Sequence, residues 1–286
     1  MRLLFVLAHY FHAQSHARHA SQKDPAPRVR ALRTAIARLH QHFGPSQCMI
    51  DLAPRTARWV NSSLTHHIDV VVCTTGQDHL LGEIDLPGHF YRHLSTQAQP
   101  LFLGFECQRV LAQALGQYDY YAYLEDDLSI TDPWFFAKQC WFNRLAGDGA
   151  LLQPNRFETS VHGAVRKAYI DGDITAQTAA QFHDVQEQEC LTGEHLGQTI
   201  VLRRMLNPHA GCYFLNARQM AFWAAKPEFA QPSTAFIGPL ESAATLGITR
   251  HFRVYKPAPE NAAFLEIEHP GIAFLGLIGK TVLAPH

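Results

Sequence analysis

The sequence predicts an α/β fold: a mixed, mostly parallel central sheet flanked by helices. Three short apolar runs, Leu3–Leu7, Val70–Thr74 and Tyr120–Leu124, carry that reading, because strands buried on both faces are continuously hydrophobic. Helical periodicity separates them. Val29, Leu32, Ala35, Ile36 and Leu39 recur at helical spacing within Arg28–Phe43, and Glu106–Leu115 reads as a helix closed by Gly116. Strand–helix–strand alternation of this kind demands right-handed crossovers and parallel pairing.

The remaining elements follow in order. Asp132-Pro133 is a helix start, with an acid at the N-cap and proline at the first helical position, and Trp134–Leu145 supplies the helix. Ala150–Gln153 is a further strand. Residues 159–206 are more polar and less periodic and read as an inserted lobe. Cys212–Asn216 is a strand followed by a helix through Trp223, and the tail adds a strand at Phe252–Pro257 and a proline-bounded loop over Phe264–His269. No repeat or low-complexity tract divides the chain.

Composition narrows the function. Of 286 residues 47% are apolar and 17% charged, which suits a globular enzyme rather than a disordered chain. The formal charge of −1, with basic residues dispersed, lacks the footprint of a nucleic-acid binder. Six cysteines without a C-x-x-C pair read as buried free thiols of a reducing compartment. The apolar run after Met1-Arg2 is short for a signal peptide and suits a first strand, and no stretch reaches membrane-spanning length. The expectation is a soluble protein without a transmembrane segment, cytoplasmic or peripheral to a membrane surface.

The sharpest feature is Glu125-Asp126-Asp127, three adjacent carboxylates where an apolar strand ends. Carboxyl ends of strands line the ligand crevice of open α/β sheets. Three acids side by side repel one another unless a cation or a set of donors answers them. Hard ions such as Mn²⁺ or Mg²⁺ take one or two carboxylates and complete their shell with phosphate oxygens, as on a nucleotide diphosphate. A literal Asp-x-Asp at Asp171-Gly172-Asp173 reads instead as a hairpin turn, Asp-Gly between apolar residues.

With its strand before and Asp132-Pro133 and the aromatic Trp134-Phe135-Phe136 after, Glu125-Asp126-Asp127-Leu128 resembles the Asp-x-Asp-like motif of GT-A glycosyltransferases, and is similar to the inverting Golgi N-acetylglucosaminyltransferases. The likeness covers roughly residues 100–145. It implies a Rossmann-like GT-A fold with a donor half (residues 1–150) and an acceptor half (residues 151–286) of one domain. It implies Glu125 near the donor sugar, Asp126 near the ribose and Asp127 on Mn²⁺ or Mg²⁺. Arg109 resembles the arginine that such enzymes place one helix earlier to meet the donor. Glu241, after Gly238-Pro239-Leu240, resembles the base that takes the acceptor proton; the alternative is a first-turn glutamate complementing the helix dipole. His269 resembles a late histidine returned to the metal, against a surface histidine before a proline turn.

Topology adds Tyr10, in the loop after the first strand, as a stacking partner for a base, and Thr74 as a hydroxyl for the same ligand. Gly211 offers close backbone approach to the diphosphate. His9, His12, His16 and His19 fall at helical spacing, but with no carboxylate or cysteine interleaved they read as an exposed histidine-rich segment. The expected reaction is sugar transfer from a nucleotide-diphosphate sugar to a carbohydrate, lipid-linked or protein acceptor, with inversion; retention would need no such base. A nucleotidyltransferase making nucleotide sugars is the first alternative, although His9–His19 has neither the glycine nor the lysine of its usual loop. A non-catalytic sugar-nucleotide-binding module is the second.

Overall fold

The computed structural model describes residues 1–13 and 24–285. The chain runs β1 (Arg2–Ala8), α1 (Ala26–Phe43), β2 (Cys48–Asp51), β3 (Thr56–Trp59), β4 (His67–Thr75), β5 (Arg92–Thr96), α2 (Leu103–Gln113), β6 (Tyr120–Glu125), α3 (Phe135–Ala146), β7 (Ala150–Leu152), β8 (Asn155–Thr159), β9 (Lys167–Tyr169), α4 (Ala176–Ala179), β10 (Cys190–His195), β11 (Gln198–Arg203), β12 (Cys212–Asn216), α5 (Ala217–Ala224), α6 (Pro239–His251), β13 (Arg253–Pro257) and β14 (Glu266–Glu268).

The central sheet has the order β12-β6-β1-β4-β5. β6, β1, β4 and β5 are parallel, and β12 closes one edge antiparallel to β6, with Cys212 opposite Leu124 and Asn216 opposite Tyr120. The expected strands β1, β4 and β6 are its centre, and they lie there because they are apolar on both faces. Leu3, Phe5 and Leu7 pack with Leu32, Ile36 and Leu39 of α1 and with Phe135, Phe136 and Phe142 of α3. Leu4 and Val6 point the other way, toward Cys107, Val110 and Leu111 of α2 and toward Trp223 and Ile248. Strand alternation thus builds a three-layer sandwich with helices on both faces.

Asp132 is not the N-cap of α3: its Oδ1 accepts the Trp134 amide at 2.8 Å in the turn before the helix, the cap position falls to Trp134 without a side-chain bond, and the helix begins at Phe135. Gly116 adopts φ +77° in the turn after α2, three residues beyond the helix end. The polar stretch 159–206 contains a regular hairpin, β10–β11, joined through β13 to β7 in a second sheet of order β10-β11-β13-β7. A third sheet, β14-β8-β9, turns the expected Phe264–His269 loop partly into a strand, with Glu268 beside Phe157. Its residues alternate apolar and charged, a pattern that a polar stretch hides until the charges find buried partners. The six cysteines form no disulfide; Cys73, Cys107 and Cys212 are buried as expected, whereas Cys48 and Cys190 are exposed. No helix among the described residues is long and apolar enough to cross a membrane.

Candidate active site

Glu125 ends β6, and Asp126 and Asp127 follow in the turn beyond it, at the carboxyl end of the parallel strands. Parallel register sets Ala8, the last residue of β1, beside Glu125, so the next residue, His9, lies against the acids. His9 is fully buried, and its Nδ1 bonds Asp126 Oδ2. The Leu80 amide donates to His9 Nε2 at 3.0 Å, so the ring proton sits on Nδ1 and is donated to the carboxylate. The exposed histidine segment expected from the spacing therefore does not include His9; its acceptor lies 117 residues away. His16 and His19 lie outside the described residues.

Arg28, from the first turn of α1, completes the grip. Its Nη2 reaches Asp126 Oδ1 at 2.7 Å and Oδ2 at 2.8 Å, and its Nη1 reaches Asp127 Oδ2 at 3.3 Å. Asp126, followed by Asp127 and Glu125, holds the guanidinium above the usual arginine range against the pull of burial. Burial disfavours the Asp126 charge, but Arg28 and His9 override it and hold the carboxyl below its ordinary range. Asp126, expected near a ribose, is 5% exposed with both oxygens engaged inside the protein.

Asp127 is different. Its Oδ1 is buried without a partner, an arrangement that costs free energy unless something else binds there. His269 Nε2 lies 3.8 Å from Asp127 Oδ2. The antiparallel bridge between Ser129 and Glu268, both amides at 2.9 Å from the opposing carbonyl, ties the C-terminal segment to the acidic turn. Arg38 of α1 also pairs with Glu268.

Glu125 keeps its carboxyl in the crevice through Gly211, which adopts φ +63°. A Cβ at Gly211 would lie 2.5 Å from Glu125 Oε2 and 3.0 Å from Leu128 Cδ1, so no other residue fits without displacing the acid. The close approach expected at Gly211 is thus to Glu125 itself, and the Gly211 carbonyl accepts the Glu125 amide at 2.9 Å. Burial, reinforced by Asp127, Glu241 and Asp126, pushes the Glu125 carboxyl up to about 8, although Arg156 opposes it.

Behind these acids stands a layer of buried charge. Arg156 Nη1 lies 3.8 Å from Glu125 Oε2, while its Nε and Nη2 fork onto Asp171 Oδ1 at 2.9 and 2.7 Å. Lys256 Nζ reaches Asp171 Oδ2 at 3.2 Å and also donates to the His209 carbonyl. Burial alone would raise the Asp171 carboxyl, but Lys256 and Arg156 drive it well below the usual range. Asp171 is therefore no hairpin-turn residue: its local Asp-Gly chemistry is overridden by two cations from β8 and β13. Glu158, two residues after Arg156 and on the same side of β8, accepts from His269 Nδ1 at 3.0 Å.

The other sequence candidates separate. Glu241, in the first turn of α6, is close enough for its charge to raise Glu125. Arg109 does not join the acids: it pairs with Glu106 and donates to the Ala230 carbonyl at 3.1 Å. Thr74 is buried with its hydroxyl 2.8 Å from His93 Nε2, and Tyr10 packs on the apolar layer shared by α2 and α5. Among the described residues no hydrogen bond joins Thr74 or Tyr10 to the three acids. A cavity of about 440 Å³ opens at the start of β4, lined by Ile68, Asp69, Tyr91, Arg92, Gln113 and Tyr118, and Glu125, Asp126 and Asp127 do not line it.

No family model matches the chain, and no curated protein matches it. Among solved structures it is similar to the apo form of mouse xyloside xylosyltransferase 1, with a TM-score of 0.41 and 10% identity over 89% of this chain and 85% of that one. At that score and identity the likeness decides nothing about chemistry. His9, Arg28, Arg156, Glu158 and Lys256 join the site without being marked by any motif in the sequence. Most meet their partners across a long stretch of chain, 98 residues for Arg28 and Asp126 and 111 for His269 and Glu158, whereas Arg156 reaches Asp171 only 15 residues on. The one available signal was Ala8-His9 at the end of a strand destined to lie beside the acidic one.

Proposed function

We propose that the chain is a divalent-metal-dependent glycosyltransferase of the GT-A type. It would move a hexose or N-acetylhexosamine from a nucleotide-diphosphate sugar to an acceptor hydroxyl, with inversion. The supporting observation is Asp127 Oδ1, buried and unpartnered, in a carboxylate whose other oxygen is 3.8 Å from His269 Nε2. Among the described residues no group of three or more histidines, cysteines or acids converges on one point. Two protein ligands suit Mn²⁺ or Mg²⁺, which complete their shells with diphosphate oxygens and water, and do not suit a closed structural zinc site.

Asp127 and His269 would hold the ion, which when bound neutralises the charge that builds on the departing diphosphate. His9 and Arg28 fix Asp126, and with it the turn that aims Asp127. Glu125, retaining its proton at neutral pH because burial disfavours its charge, offers a hydrogen bond to the donor sugar. Glu241, at the amino end of α6 and within electrostatic reach of Glu125, takes the proton from the acceptor hydroxyl as that oxygen attacks the anomeric carbon. In this reading residues 1–150 bind the donor and residues 151–286 the acceptor.

Calorimetry with UDP, with and without Mn²⁺, followed by incubation with a panel of UDP- and GDP-sugars, tests the proposal. Mn²⁺-dependent nucleotide binding with loss of sugar from one donor is the expected result. Binding without sugar loss turns the chain into a binding module, and absence of any nucleotide binding removes the reading.

A further inference from the structure

Glu158 has no exposed surface, and its partners all come from one stretch of chain. Oε1 lies 3.0 Å from His269 Nδ1, and Oε2 accepts the amides of Phe274 at 3.0 Å and Leu275 at 2.7 Å. A buried carboxyl is costly to the fold unless its lone pairs are filled, and here the segment 269–275 fills them. The carboxyl group already serves as acceptor to two backbone amides, and in the same role toward the ring it leaves the shared hydrogen on His269 Nδ1. The other ring nitrogen, Nε2, is then an unprotonated lone pair, on the edge of the ring that faces Asp127. Phe274 closes the remaining side, its ring crossing that of His269 at 71° with centroids 5.9 Å apart. The His269 amide donates to the Phe157 carbonyl at 2.9 Å, so the backbone is fixed from the same strand that carries Glu158.

We infer that Glu158 is a positioning residue for His269: it sets the ring's tautomer and aims Nε2 at Asp127, and so prepares a nitrogen–oxygen pair for a divalent cation. The inference rests on the metal reading proposed above, but the tautomer it requires does not. Histidine ligands to metals commonly give their second N–H to a carboxylate, and loss of that partner typically costs about 10- to 100-fold in metal affinity. Nothing local in the sequence marks Glu158, because its role depends on β8 and β14 lying side by side.

Two measurements on the full chain test it. Long-range ¹H–¹⁵N spectra of the histidine rings, with His269→Ala assigning the signal, report the tautomer without any metal. The parent is expected to show the Nδ1–H form at His269, and Glu158→Gln to lose it. Mn²⁺ binding in the presence of UDP, read by electron paramagnetic resonance, is expected to weaken about 10- to 100-fold in Glu158→Gln. In a His269→Ala background the same change is expected to cost almost nothing more, because Glu158 acts through that ring. An Nε2–H ring in the parent, or losses that add in the double variant, would overturn the inference and leave Glu158 a purely structural acid. A parent with the Nδ1–H ring that binds no Mn²⁺ keeps Glu158 as the residue orienting His269 and removes the metal site along with the transferase reading.

Discussion

Asp127, at the strand end, and Asp171, in the buried charge layer behind it, are treated in opposite ways. Asp171 has a bidentate arginine on one side and a buried lysine on the other, and its charge is fully answered within the protein. Asp127 has one longer contact from Arg28, a histidine at 3.8 Å, and an oxygen with no partner at all. Motif shape had pointed the same way, toward the acids at the strand end and away from Asp171-Gly172-Asp173, but for a different reason. A turn was expected at Asp171; the fold makes it a pillar. Satisfaction, more than spacing, separates an acid whose charge is answered within the fold from one left with an unpartnered oxygen.

The largest effect that follows is on ligand binding. Asp127→Asn removes the charge of the unanswered carboxylate and is expected to lower Mn²⁺-dependent UDP affinity by at least about 100-fold, the loss of a cation's principal oxygen ligand. Because that charge is not part of a saturated network, the melting temperature should shift by no more than about 2 °C. Calorimetry and a thermal melt on one preparation give both numbers. Full UDP affinity in the variant would erase the distinction drawn between the two aspartates.

Glu241→Gln tests the proposed role of Glu241 as base for an acceptor hydroxyl. It keeps the shape and reach of the side chain but cannot take up a proton, so transfer should slow by about 10² to 10⁴ while UDP and metal bind as before. Product analysis and calorimetry separate the two. Transfer at the parent rate would remove Glu241 as base and favour a retaining reaction.

Asp171→Asn should reverse the pattern seen at Asp127. Removing one member of a buried charge cluster leaves Arg156 and Lys256 unanswered, at a cost of about 3–5 kcal/mol. Urea unfolding measures it. A variant as stable as the parent would mean that water, not Asp171, answers those cations.

The parts legible in the sequence were those whose signal is local. β1, β4 and β6 announce themselves because strands covered on both faces must be apolar throughout, and α1 because its buried side repeats at helical spacing. Asp132-Pro133 marks a helix to come, though α3 itself begins at Phe135 with Trp134 at its cap position. The acids at the end of β6 could be placed at the ligand end of a sheet from topology. What could not be read is pairing at a distance. Arg28 looks like any first-turn arginine, His9 like one of a polar histidine series, and Arg156 and Glu158 like the charged residues of a surface strand. Arg109 shows the converse: α2 begins at Leu103, and there the guanidinium finds Glu106 within its own helix and the Ala230 carbonyl before any donor.

The smallest expected effect applies the same test to a base. His183 is 3% exposed beside the cationic side of the Asp171 pillar, with Nε2 3.1 Å from the Met205 carbonyl and Nδ1 unpartnered. Burial, helped by the positive charges of Arg204 and Lys256, lowers its pKa from the ordinary 6.5 to about 4. The unfolded chain therefore binds this proton first as pH falls. Stability from His183 is intact above pH 6.5, declines as pH drops toward 4, and changes no further once both states are protonated. About 3 kcal/mol is at stake over that window, from 1.36 kcal/mol for each pKa unit. His183→Gln cannot titrate there. It should be the less stable protein at pH 7.5, where it disturbs a packed ring, and should recover about 2 kcal/mol relative to the parent by pH 4.5. Urea unfolding of both proteins at the two pH values cancels the contributions of the other histidines. Parallel losses in parent and variant would show that His183 takes up its proton in the native state, and that the cationic side of the pillar is open to water.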